Sequence, residues 1–87
     1  MLTFVTSMTA SMAAVHLAIG ALDLAEVASL AHRIQGAARI CGAMALGRAA
    51  LVLERFARAG EWSAAHAGAT ELELQWQLVR NHLAPPL

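Results

Sequence analysis

The stretch AHRIQGAARICGA, residues 31–43, sets one histidine among small side chains, with a glutamine three residues later, a glycine four later and an arginine seven later. Neutral imidazole is a competent nucleophile near neutral pH, and amide or guanidinium donors stabilise negative charge on oxygen. His32 with Gln35 and Arg39 therefore suits an anionic group carried on a ring nitrogen, and a phosphoryl group fits that description. Gly36 has a reason to be there. Helical side chains lean toward the N-terminus, so any side chain at position 36 would lie over the imidazole. Glycine leaves the ring open, at about 1 kcal/mol relative to alanine in a helix interior.

The elements that must hold this group are helical. Laid out at about 100° per residue, Val27, Leu30, Ile34, Ala38, Cys41 and Ala45 point away from His32 and form a core face. On the histidine's own side lie Ala25, Ala28, Ser29, Gln35, Gly36, Arg39 and Ala43. The imidazole is thus expected to stand in water on a rigid helix. Ala25, Ala28 and Ser29 form a skirt small enough for a partner to approach closely.

Of the 87 residues, 59% are hydrophobic, with Ala, Leu, Val and Met prominent, which suits one small helical domain spanning residues 1–87. A chain this short needs regular helix packing, a staple or a partner. Cys41 is the lone cysteine, so no internal disulfide forms. Its apolar pattern reads as a buried, reduced thiol in the cytoplasm. Six arginines against six acids give zero formal charge and advertise neither a nucleic-acid surface nor a polybasic membrane anchor. Residues 1–22 carry no Asp, Glu, Lys or Arg. They lack a basic leader, however, and Thr3, Thr6, Ser7, Thr9, Ser11 and His16 interrupt the apolar run. Val5, Met8, Met12, Val15 and Ile19 recur at helical spacing, which predicts a bundle helix rather than a membrane span.

Four helices are expected, at about 2–18, 23–41, 45–59 and 62–83. Gly20 ends the first, Asp23 caps the second with Glu26 three residues on, and Gly60 closes the third. Leu46, Ala49, Leu53 and Phe56 form the third helix's apolar stripe, with Arg48, Arg55 and Arg58 on a solvated face. The fourth carries Trp62, Ala65, Ala69, Leu72, Trp76, Val79 and Leu83 as its core stripe, and Pro85 and Pro86 end the fold. Short connections favour antiparallel neighbours, so the expected fold class is all-α, an antiparallel up-down-up-down four-helix bundle.

Ala31-His32, Ile34, Gly36-Ala37, Gly42-Ala43, Leu53-Glu54 and Gly60-Glu61 together resemble the signature of histidine-containing phosphotransfer (HPt) domains, from about Leu22 to the end of the fourth helix. The likeness is greatest to the C-terminal HPt domains of unorthodox hybrid sensor kinases of the virulence-sensor (BvgS-like) kind. It implies that His32 accepts a phosphoryl group from a receiver-domain aspartate and passes it to an aspartate of a response regulator. It also implies a place in the cytoplasm, at the end of an inner-membrane kinase, with the Mg²⁺ for transfer on the receiver and no cofactor in this chain. Such domains commonly carry Lys three residues after the histidine. Gln35 stands there instead and brings no charge, leaving Arg39 as the nearest cation along the helix. The first helix is less typical of the family, which is compatible with Met1 starting an excised segment.

No phosphate-binding glycine loop is present, so phosphorylation from ATP is not expected. His16, His66 and His82 form no metal-binding spacing and read as surface residues, and no metal site is expected. Trp62 and Trp76 read as core. The rival reading is a non-catalytic helical interaction or dimerisation module in which His32 is incidental.

Overall fold

Every break in the apolar pattern is a turn of three residues. The computed structural model describes residues 2–83, which form α1 (Leu2–Gly20), α2 (Leu24–Ile40), α3 (Met44–Arg58) and α4 (Trp62–Leu83). Among the described residues there are no strands. Pro85 and Pro86 lie outside them, as do Met1 and the side chain of Leu83.

The three turns share one hydrogen-bond pattern. The Asp23 N–H donates to the Ala18 carbonyl and the Leu22 N–H to that of Ile19. Ala43 with Ala38 and Gly42 with Arg39 repeat the pair, and so do Glu61 with Phe56 and Gly60 with Ala57. This is the Schellman arrangement, which needs a left-handed residue at its centre. Gly42 (φ 72°) and Gly60 (φ 73°) supply it in two cases, and Leu22 (φ 59°) in the first. Gly20 is the last residue of α1, so the reversal expected there falls two residues later, on a side chain poorly suited to it. Asp23 then caps α2 by accepting from the Glu26 N–H at 3.1 Å, as its position predicts.

The second turn corrects the expected core face of α2. Because Gly42 turns the chain aside after Ile40, helical extrapolation fails beyond Ala38. Cys41 is exposed in the turn rather than buried, and Ala45 is exposed on α3. Val27, Leu30, Ile34 and Ala38 are buried as expected.

Met8, Met12, Val15 and Ile19 of α1 meet Leu46 and Leu53 of α3 and Ala65, Ala69, Leu72 and Trp76 of α4 in one shared core with the α2 face. By length and composition α1 would also pass as a membrane span, but its apolar ridge is buried in that core. Phe4 stands edge-on to Trp76, 5.8 Å between ring centroids, an arrangement favoured by the ring quadrupoles. On α3 the buried stripe is rotated from the one expected: Ala49 and Phe56 are half-buried, whereas Ala50, Glu54 and Ala57 are buried. The α2–α3 contact is the most extensive in the molecule, and it carries the site.

Candidate functional site

His32 projects from the middle of α2 with 70% of its side chain exposed. Its flanking residues Ala31 and Ile34 are buried, which clamps the helix and fixes the direction of the ring. No atom, the imidazole included, lies within 4 Å of where a Cβ at Gly36 would be, so the space beside it is open, but an alanine there would not cover the ring as its sequence position predicts. Ala25 and Ser29 are exposed, but Ala28 is only 3% exposed. It sits at the α3 side, near Leu24, Ala57 and Arg58. The expected skirt thus keeps Ala25 and Ser29 and loses Ala28, because α3 packs over it.

Beneath the imidazole is a carboxylate that periodicity did not single out. Glu54 of α3 is the one buried charged residue among those described. Both of its oxygens lie 3.4 Å from His32 Nδ1. Gln35 donates a short hydrogen bond from Nε2 to Glu54 Oε1. Arg58, one helical turn along α3, donates from Nε to Oε2 at 2.7 Å, with a second guanidinium nitrogen 2.6 Å away. The hydrogen bond from Gln35 does most to hold the Glu54 carboxyl below the usual carboxylate range. Burial pushes the other way, and Arg58 and His32 add to the lowering. Glu54 is therefore a fixed anion at neutral pH, neutralised from two sides and turned toward the ring.

That fixed anion acts on the imidazole. A carboxylate can only accept, so the favourable tautomer places the proton on Nδ1 and leaves the Nε2 lone pair facing water. The site thus pairs an exposed imidazole with a buried carboxylate that faces its Nδ1, both on the α2–α3 seam.

The two donors expected to serve a phosphoryl group are placed differently from expectation. Gln35 points its amide at Glu54, and the same nitrogen lies 3.5 Å from the Ala31 carbonyl. It supports the carboxylate and is not a free donor beside the ring. Arg39 lines a hollow with Arg48 and Leu51 that runs down the seam from Gln35. Among the described residues no group of three or more His, Cys, Asp or Glu could hold a metal ion. His16, His66 and His82 are all exposed. His16 has a partner that its position in the sequence did not suggest, since its Nε2 lies 2.7 Å from Glu73 Oε1 and ties α1 to α4.

A helical scaffold presenting one outward imidazole whose inner nitrogen faces a buried carboxylate defines a class of protein equipped for nucleophilic chemistry at histidine. The family model for the Hpt domain matches residues 1–82, and the chain belongs to that family. Its role is accordingly phosphotransfer in two-component or phosphorelay signalling, in which Hpt domains interact with receiver domains and response regulators. Nothing among curated proteins or solved structures matches the chain.

Proposed function

We propose that the domain is a phosphorelay intermediate in which His32 accepts a phosphoryl group from one receiver aspartate and passes it to another. The observation that carries this reading is the exposed His32 ring with Nδ1 facing Glu54. In the reaction, the Nε2 lone pair attacks the phosphorus of an aspartyl phosphate in line. An N–P bond forms, the P–O bond breaks, and the carboxylate leaves with its electron pair. No proton need move, because the one on Nδ1 stays against Glu54. As the ring becomes cationic on phosphorylation, the fixed anion beneath it stabilises the product. The reverse reaction delivers the group to a second receiver, and Mg²⁺ on the receiver supplies the charge neutralisation that this chain lacks beside the ring.

Each helix packs against its neighbours in sequence and α1 also packs against α4. Together with three-residue turns, this supports the antiparallel up-down-up-down order. The parent protein is proposed to be an unorthodox hybrid sensor kinase of the virulence-sensor kind, with this domain in the cytoplasm. That proposal rests on the likeness of the motif from Ala31-His32 to Gly60-Glu61. The test is to incubate the purified domain with a radiolabelled phospho-receiver and Mg²⁺. Acid-labile, alkali-stable label should appear on the wild type and be lost in His32→Gln. Equal labelling of the two would overturn the assignment.

A further inference from the structure

The seam between α2 and α3 has a second feature, which begins about one helical turn from the imidazole at Gln35 and reaches Arg39 a turn later. From Gln35 onward the helices part to leave a hollow of about 170 Å³, lined by Gln35, Ala43, Gly47 and Leu51 together with Arg39 and Arg48. Gly47 marks where α3 lies against α2: a Cβ there would be in ordinary contact with the Cβ of Ala38, at 3.6 Å.

The charge around this hollow is one-sided. The chain is neutral overall, but three of its six acids are engaged away from this hollow, and Glu71, which lines a neighbouring hollow with Arg48, forms no ion pair with it among the described residues. Asp23 caps α2, Glu54 is bound by Gln35 and Arg58, and Glu73 pairs with His16. No carboxylate lines the hollow. Among the described residues neither Arg39 nor Arg48 lies within ion-pair distance of an acid, and Arg55 adds a further exposed cation to α3. An apolar floor with a cationic rim, continuous along the seam with the phosphoacceptor, complements a surface bearing an apolar side chain flanked by carboxylates.

We infer that the receiver docks along the α2–α3 seam, with acidic residues beside its phosphorylated aspartate meeting Arg39 and Arg48 while the aspartate reaches His32. This rests on the phosphorelay reading above and specifies the partner's surface. Seven residues separate His32 from Arg39, about 10 Å along the helix axis. The acidic residues must therefore lie about that far from the receiver's phosphoryl group, within one face of a small domain. Contacts of this kind steer encounter and set register, so they act chiefly on the association rate and are screened by salt.

The test compares wild type, Arg39→Glu/Arg48→Glu, the distant reversal Arg80→Glu on α4, and His32→Gln. Each is labelled in two ways: by a phospho-receiver with Mg²⁺ at low and high salt, and by phosphoramidate, a small donor that needs no docking. The expected result is phosphoramidate labelling of His32 at the wild-type rate in the double variant, with receiver-driven transfer slowed about tenfold or more at low salt. That difference should shrink at high salt, and Arg80→Glu should transfer normally. Receiver-driven transfer that needs His32 but proceeds at the wild-type rate in Arg39→Glu/Arg48→Glu would overturn the seam while leaving the relay reading intact. Equal slowing by Arg80→Glu would overturn it too, by showing a response to net charge alone. Transfer that persists in His32→Gln would remove both readings.

Discussion

Replacing Glu54 by Gln tests whether the buried carboxylate governs the imidazole. The substitution keeps shape and one acceptor oxygen but removes the charge that favours a proton on His32 Nδ1. A well-formed hydrogen bond to a charged group contributes about 1.5–3 kcal/mol. Here the nitrogen is 3.4 Å from either oxygen and the ring is 70% exposed, beyond the ordinary N–H···O range. About 1 kcal/mol remains, which is about a fivefold change in the balance of tautomers. Removing the anion also lessens repulsion of an incoming phosphoryl donor. At the water-exposed Nε2 end that opposing gain is below about 1 kcal/mol. Because transfer rates combine the two effects, the deciding assay is ¹⁵N NMR of the imidazole at a pH where it is neutral. The wild type should carry its proton on Nδ1, and Glu54→Gln should shift population toward Nε2–H by about fivefold, with slower labelling by phosphoramidate. A wild-type ring already protonated on Nε2, or identical tautomer populations in the two proteins, would refute the reasoning.

Leu22→Gly should raise stability by about 1 kcal/mol in chemical denaturation, since the first turn alone places a side chain in the left-handed region. Gly36→Ala should also stabilise, by up to about 1 kcal/mol, and leave phosphoramidate labelling unchanged, because a Cβ there meets nothing within 4 Å. Stability should also depend on Glu54 at acid pH. Its carboxyl is held below the usual range in the fold, so the native state binds fewer protons than the unfolded chain between the two values. The contribution is complete above the unfolded value of about 4.3 and is lost as pH falls through the folded one. Urea titrations should therefore show a shallower loss of stability on acidification in Glu54→Gln than in the wild type.

The course of the four helices, the turn at Gly60, the cap at Asp23 and the outward aim of His32 were all legible in the linear pattern. Each depends on near neighbours alone: helical spacing places side chains on faces, and turn residues act through their own backbone angles. The centres of the α1 and α4 stripes were legible for the same reason, because Met, Val, Leu and Trp mark a core face well, although Val5, Trp62 and Val79 are only half-buried. On α3, alanines on several sides blur the boundary, so the stripe was placed one step round, and Glu54, noted only as part of the Leu53-Glu54 motif, was not expected to be buried. A signal did exist, since Ala50, Leu53 and Ala57 surround it on the helix, but small side chains mark a buried face weakly.

What only the tertiary structure decided is the pairing across the seam. Which carboxylate lies under His32, that Gln35 and Arg58 hold it there, that α3 covers Ala28, and that Arg39 joins Arg48 at a hollow running on from Gln35 all depend on how α2 and α3 are set against each other. That setting comes from the fit of two whole apolar faces around Gly47 and Ala38. The sequence by itself determined a helix able to offer an imidazole to water; the packing of a second helix determined which of its nitrogens faces a buried carboxylate.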